Sequence, residues 1–434
     1  MGATVGMPDA DALRAAAPAL PPGACYRVCY SGGLDSSTLL HALWRAALRP
    51  LQALHVDHGL QPQSQDWARR CAAVCAALDI PLQVLRVEVS PAHRQGPEAA
   101  ARVARYEALR KVMHSGDVLV LAHHRDDQAE TVLMRLLRGT GIAGLAAMRP
   151  HAEFAPGRLW RPLLDTPRTS LRAYAEQQQL QWIDDPHNVD SRYTRVWLRR
   201  EILPLLERRL PSTSRNLARA ASHAAEQAAL LEELADADLG GLQQGDSLRI
   251  SGLLRLTPAR QRNALRNWLQ RRGFHPPNTN ILQRLQREVL MAPADAAPLL
   301  RSGDCELRRY RDALYLMPPL PLPPAGGVGV IWSTDTRIEL PAGCGGLQAP
   351  RPPPQPLRIC FARGGERLRP AGSAHTRSLK NLFQEAGIPP WRRRRTPLLE
   401  MEGELVWVPG LPPTAIWRQL CAEQRWQLHY QPSA

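Results

Sequence analysis

Between residues 21 and 150 two hydrophobic patterns alternate along the chain. Short apolar runs at 28–30, 51–56, 82–87 and 118–122 are too brief for helices and predict strands. Between them, at 36–48, 65–78, 97–114 and 126–137, apolar residues recur every three or four positions and predict helices. Strand alternating with helix predicts a parallel, doubly wound α/β sheet. Ligands of such sheets sit at the carboxyl ends of the strands. Polar residues cluster where those ends fall: Ser31 to Ser36, then His55-Val56-Asp57-His58, then His123-His124-Arg125-Asp126-Asp127.

Beyond residue 150 the pattern changes. Residues 160–215 read as helical and rich in arginine. Residues 216–240 read as a long Ala/Leu helix, with further helices near 258–272 and 279–291 and strand-like segments at 304–317. The expected organisation is a weak or unstructured lead-in at 1–20 and a catalytic α/β domain at 21–215. A mostly helical domain follows at 216–318. Residues 319–356, crowded with proline and glycine, read as a loop-rich connection with a strand near 328–332. A small mixed α/β domain closes the chain at 357–434, with a helix at 378–386 and the basic run Trp391-Arg392-Arg393-Arg394-Arg395.

Charge adds a partner class. The chain has 434 residues, with 55 Lys plus Arg against 40 Asp plus Glu, a formal net charge of +15. That excess suits a polyanion such as nucleic acid, although a generally basic surface would also produce it. The start of the chain shows no basic segment followed by an apolar run, and no apolar stretch is long enough to span a bilayer, so a cytoplasmic protein is expected. The eight cysteines are scattered without a Cys-x-x-Cys pair and read as reduced thiols; Cys71 and Cys75 share one helix face.

The chemistry concentrates in four places. Ser31-Gly32-Gly33-Leu34-Asp35-Ser36 lies between a strand and a helix, which aims backbone N–H groups and a helix N-terminus at an anion. No Gly-Lys-Ser/Thr follows, so this is not a Walker A loop. Asp35 cannot hold a phosphate itself and points to a metal ion. After the second strand, His55 and Asp57 are placed to contact phosphate, nucleoside or metal, or to cap the turn. Glu98, Arg102 and Arg105 share a helix face, and the arginines could neutralise a triphosphate. Asp127 and Glu130, three apart, direct two carboxylates the same way, toward Mg²⁺ or a cationic amine; acids at a helix start also complement its dipole. Trp182 to Asn188, Tyr193 to Arg195 and Arg199-Arg200 mix rings and guanidinium groups in a manner suited to RNA.

Taken in order, these motifs resemble the tRNA(Ile)-lysidine synthetase family of PP-loop ATP pyrophosphatases. The resemblance rests on Ser-Gly-Gly-x-Asp-Ser, His55 to Leu60, Glu98 to Tyr106, Ala122 to Thr131, Arg138-Gly139-Thr140-Gly141, Arg161-Pro162-Leu163-Leu164, Asp185-Pro186-x-Asn188 and, near the end, Leu379 to Glu385 and Ile388 to Trp391. It implies ATP-dependent ligation of free lysine to the wobble cytidine of a CAU-anticodon tRNA(Ile), through an adenylated cytidine. It implies that Ser31, Gly32, Gly33, Leu34, Asp35, Ser36, His55, Asp57 and Arg102 bind ATP, with Mg²⁺ on Asp35. Asp127 and Glu130 would hold lysine with His123 nearby, and Arg195 would face nucleotide or tRNA. Lys380, Arg392, Arg393 and Arg394 would grip tRNA. The chain departs from the family pattern at His187, usually serine, and Val196, usually asparagine. A PP-loop tRNA thiolase and an ATP-gated RNA-binding module are the alternatives. The missing Cys-x-x-Cys weighs against the first. Oligomeric state stays open, a homodimer included.

Overall fold

Six strands form the sheet of the N-terminal part: β1 (Tyr26–Cys29), β2 (Leu51–Asp57), β3 (Leu82–Arg86), β4 (Val118–Val120), β5 (His151–Phe154) and β6 (Gly157–Trp160). Their spatial order is β3-β2-β1-β4-β6-β5, all parallel except the edge strand β5. This computed structural model describes residues 6–57, 63–87, 97–184, 194–275, 278–293, 296–327 and 329–432. The motif residues His58 to Leu60, Asp185 to Asn188 and Tyr193, and the side chain of Glu98, lie outside them. The chain divides into two units, 1–231 and 232–434.

Both faces of the sheet are covered, as the apolar strand runs require. Tyr26, Val28 and Tyr30 of the first strand region, with Val118 and Val120, share a core with Leu39 and Leu43 of α2 (Leu34–Arg45) and Leu171. Cys29, Leu119 and Leu121 point the other way, toward Leu109. The remaining helices of this unit are α1 (Ala10–Ala16), α3 (Ser64–Ala77), α4 (Pro97–Val112), α5 (Arg125–Leu137), α6 (Ile142–Leu145), α7 (Arg168–Gln177), α8 (Thr194–Trp197), α9 (Leu203–Arg209) and the first part of α10 (Thr213–Gly240), which runs on into the second unit. A π-helical turn, Leu198–Ile202, joins α8 to α9.

Strand order sets the site. From β1 the chain moves outward through β2 and β3, then returns to place β4 on the other side of β1. The loops leaving β1 and β4 therefore diverge and open a crevice at their carboxyl ends, where doubly wound sheets bind ligands.

The structure corrects or adds to these expectations in four places. The Ala-rich lead-in is a helix: Asp9 caps α1 by accepting from Ala12 N–H, Leu13 is buried, and Arg14 donates to the Ala46 carbonyl. The region near 150–160 contains the hairpin of β5 and β6. The segment expected as mostly helical also holds a five-stranded antiparallel sheet built from Gln243–Gln244, Ser247–Arg249, Leu299–Ser302, Cys305–Tyr310 and Ala313–Met317. Within 319–356, besides the strand Val330–Trp332, Arg337–Glu339 and Gly346–Gln348 pair with each other, and the latter pairs with His429–Gln431.

At the opposite end of the sheet Arg27 and Asp117 form a buried ion pair. Asp117 also accepts from Cys25 N–H at 2.9 Å and His114 N–H at 2.8 Å. Gly157 starts β6 against it; a Cβ there would lie 2.3 Å from the Asp117 carbonyl oxygen. Removing one partner of a buried pair strands the other charge. Asp117→Ala is expected to cost about 3–5 kcal/mol, measured as a lower urea midpoint for loss of the N-terminal unit's structure. An unchanged midpoint would show that the pair contributes nothing net.

Candidate active site

The turn after β1 is held in shape by its own side chains. The hydroxyls of Ser31 and Ser36 lie 3.0 Å apart; Ser36 Oγ accepts from Ser31 N–H and donates to the Gly33 carbonyl at 3.1 Å. These hydroxyls thus brace the loop. Of the two glycines only Gly32, at φ +80°, needs glycine's backbone freedom, whereas Gly33 has φ −74°. Gly32 also has no room for a side chain, since a Cβ would come 2.8 Å from Ile183 Cδ1 and 2.9 Å from Cys71 Sγ. Gly33 is the N-cap of α2 and makes no side-chain cap, leaving that helix start to backbone N–H groups.

His55 is buried, with Nδ1 2.9 Å from the Tyr30 carbonyl oxygen, so it ties the end of β2 to the strand beside it. Asp57 ends β2. Arg102 is exposed on α4, its guanidinium 5.0 Å from the Tyr106 ring. Burial and the neighbouring cations lower the affinity of Arg135 and Arg161 for their protons, and Arg102 is one of those cations in both cases. Arg102, Arg135 and Arg161 are therefore close enough to raise the local positive potential together.

The second wall is the start of α5. His124 caps it and is fully buried, forming a capping box in which the Asp127 carboxylate accepts from His124 N–H at 3.1 Å. Its ring lies among three carboxylates: Nε2 is 3.6 Å from Asp35 and 3.4 Å from Asp127, and Nδ1 is 3.5 Å from Asp126. Burial disfavours the imidazolium, but Asp127, Asp126 and Asp35 outweigh it and hold His124 up at about 9. The 3.4 Å approach of Asp127 N–H to Nδ1 is too long to force the neutral form. Nε2 has no hydrogen-bond partner. His123 behaves oppositely. Burial pushes it down to about 3, and its Nδ1 accepts from Arg161 at 3.1 Å, which leaves the proton of the neutral ring on Nε2.

Asp127 and Glu130 do converge, and both are buried. They meet two guanidinium groups. Arg195 Nε donates to Glu130 at 2.7 Å, with Nη2 3.4 Å from Asp127. Arg199 Nη2 donates to Asp127 at 2.8 Å and to Glu130 at 3.0 Å. Burial would raise the Asp127 pKa, but His124, Arg195 and Arg199 hold it down at about 2. Arg195, expected to face nucleotide or tRNA, lies on the carboxylate pair, carried there by α8; Val196 follows it in that helix.

Sequence reasoning did not find Arg168, whose Nε is 3.4 Å from Asp35 and whose N–H donates to Asp126 at 2.8 Å. It is brought there by α7, which packs on α2: Tyr174 OH lies 3.0 Å from His41 Nδ1, and Thr38 Oγ1 donates to the Leu171 carbonyl. No local pattern announces this long-range contact. Arg199 carried a signal, standing one helical turn after Arg195.

In the C-terminal unit the basic run divides. Trp391 is buried against Tyr310 and Tyr315. Arg393 donates to the Ile388 carbonyl at 2.7 Å and to Tyr310 OH at 3.2 Å, and Arg395 to the Trp391 carbonyl at 2.6 Å. Arg392, Arg394 and Lys380 are exposed.

The chain matches three family models: a PP-loop domain over residues 13–206, a TilS substrate binding domain over 248–315, and a TilS substrate C-terminal domain over 357–430. A tRNA(Ile)-lysidine synthase of Methylococcus capsulatus is 42% identical over 416 residues, covering 92% of this chain and 94% of the relative. One of Alkalilimnicola ehrlichii is 44% identical over 404 residues, covering 90% and 91%. Among solved structures a U34-tRNA thiolase of Methanococcus maripaludis is similar at 19% identity and a TM-score of 0.41, over 50% of this chain and 77% of that one. That likeness is too loose to bear on the reaction.

The His124 proton is held more tightly in the folded chain, at about 9, than at its ordinary 6.5. Its stabilisation is therefore complete below pH 6.5 and lost as pH rises through 9, an effect on the order of 3 kcal/mol. In metal-free buffer the protein should lose stability across that window, and His124→Gln should lose less. Thermal melts at intervals of pH test this; parallel pH profiles for the two proteins would rule it out.

Proposed function

Because the chain belongs to the tRNA(Ile)-lysidine synthase family, we propose that it uses ATP to join free lysine to the wobble cytidine of a CAU-anticodon isoleucine tRNA. The observation that carries this reading is the meeting, between β1 and β4, of the Ser31–Ser36 turn with the Asp127–Glu130 carboxylate pair. One wall suits phosphates, and the other suits an ammonium ion. The ring carbonyl oxygen of the cytidine attacks the α-phosphorus of ATP and pyrophosphate leaves. The lysine amine then attacks the ring carbon bearing that oxygen, and AMP departs with the oxygen. The cytosine must leave its stack to enter the crevice. The lysidine produced pairs with adenine and changes the codon read from AUG to AUA.

On this reading the Gly32–Gly33 backbone and the start of α2 hold the pyrophosphate portion of ATP, and Arg102 offsets triphosphate charge. His55 and Asp57 shape the nucleotide side of the crevice from the end of β2. Mg²⁺ is in keeping with the Asp35 carboxylate at the start of α2 beside the Ser31–Ser36 turn, since a hard divalent cation takes carboxylate oxygens. Asp35 would hold it, and when bound it offsets charge on the phosphates. His123, with its proton on Nε2, serves as a hydrogen-bond donor rather than a base.

The lysine ammonium takes a place on Asp127 and Glu130 that Arg195 and Arg199 fill in the free protein. Exchange of one cation for another leaves no buried charge unpaired, which keeps the step inexpensive. The exposed Lys380, Arg392 and Arg394 contact tRNA phosphates, whereas Arg393 is anchored within its own unit.

The central test is nucleoside mass analysis of a CAU-anticodon tRNA after incubation with ATP and lysine; absence of lysidine would refute the reading. Asp35→Ala should lower pyrophosphate release about 100-fold or more while tRNA affinity stays near the wild-type value. Glu130→Gln should raise the KM for lysine about tenfold or more and leave the KM for ATP within about twofold. Equal shifts in both constants would remove Glu130 from lysine recognition.

Lys380, Arg392 and Arg394 changed together to Ala should weaken tRNA binding and reduce the slope of log affinity against log salt by roughly 0.7 to 0.9 per lost contact. Filter binding across salt concentrations measures it, and an unchanged slope would make these residues surface charge only.

A further inference from the structure

Beside the carboxylate pair lies a cavity of about 510 Å³, bounded by the starts of α5, α7 and α10 and by α9. Its acids are already satisfied. Glu130 takes Arg195 and Arg199. Asp126 accepts from Arg168 N–H at 2.8 Å and lies 3.5 Å from the His124 ring. Glu207 accepts from Ser214 N–H at 2.8 Å, at the first turn of α10.

Two of its arginines are not satisfied in this way. Arg125 donates through Nε and Nη2 to one acceptor, the Asp165 carbonyl oxygen, at 3.0 and 2.6 Å. A neutral carbonyl orients a guanidinium without cancelling its charge. Arg215 makes no ion pair with a carboxylate among the described residues and is exposed on the first turn of α10. The cavity thus presents two guanidinium groups, on different helices, that pair with no carboxylate among the described residues, and its four arginines outnumber its three carboxylates. Its chemistry selects an anion with several acceptor oxygens.

We propose that this cavity is a subsite for a phosphodiester of the tRNA substrate, held by Arg125 and Arg215. The inference rests on the functional reading above. The cytidine reacting at the acid pair carries a phosphate on each side, and the cavity joins that pair through Glu130 and Arg199. None of Ser31 to Ser36, the expected seat of the ATP phosphates, lines it. The subsite would fix the anticodon backbone while the base is out of its stack, a positional role that carries no base information.

The test uses the full-length protein with Arg125→Gln and Arg215→Gln combined, and the Lys replacements as charge-retaining controls. Filter binding to the CAU tRNA is measured across sodium chloride concentrations, together with the KM values for tRNA and ATP. The expected result is a slope reduced by about 1.4, or roughly 0.7 for each single-strand phosphate contact. The KM for tRNA should rise about tenfold, with the KM for ATP unchanged and the slope retained in the Lys controls. An unchanged slope overturns the proposal. A raised KM for ATP with an unchanged tRNA slope also overturns it, assigning the phosphate to the nucleotide. If the double variant does not fold, Arg215→Glu at the exposed position carries the test, and its slope must fall. Lysidine formation by the wild-type protein is read separately: its absence refutes the functional reading, whereas lysidine formed with unaltered slopes in the variants refutes only the subsite.

Discussion

The candidate site depends on one buried cation. The ring of His124 has carboxylates from Asp35, Asp126 and Asp127 within 3.6 Å, contributed by helices that follow different strands. Three acids this close would repel one another and draw up protons without it. With the imidazolium between them, Asp35 and Asp127 are held below the ordinary carboxylate range despite burial. The Asp127 carboxylate also accepts from His124 N–H, so the residue that compensates the charge is tied to the first turn of the helix carrying two of the acids. Electrostatics and backbone geometry are therefore joined in one side chain, and neither wall of the crevice can shift alone.

The same principle governs the outer part of the site. Asp127 and Glu130 never face solvent bare; Arg195 and Arg199 lie on them. An acid pair neutralised in this way leaves no bare charge buried in the site. Arg195 and Arg199 stand four residues apart, about one helical turn, and so reach the same carboxylates.

Much of this was legible in the sequence because local patterns encode it. The apolar runs located four strands, and the glycine turn and the acidic helix start marked the crevice before any pairing was known. What escaped were contacts between residues far apart in the chain. Arg168 is recognised only through the packing of α7 on α2, and the place of β4 beside β1 comes from strand pairing. Short elements were lost for another reason. β5 and β6 have four residues each, and His151, Glu153 and Arg158 interrupt them, so neither shows the unbroken apolar run of the other strands. The helix α1 depends on Asp9 and on burial of a single leucine, a signal easily hidden in an alanine tract. Among the arginines at 392–395 the sequence shows four equal charges; folding leaves two exposed and commits two to backbone carbonyls.

The helix α7 is tied to the crevice at both ends. Arg168, its first residue, touches Asp35, and soon after its last turn Ile183 N–H donates to the Gly32 carbonyl at 2.9 Å. A helix turns by about 100° and advances about 1.5 Å with each residue. Adding or deleting one residue within α7 would therefore swing one tether away while the other stayed in place. The length of this helix is fixed by phase and rise together, so viable insertions between residues 168 and 183 are confined to the few residues beyond its end.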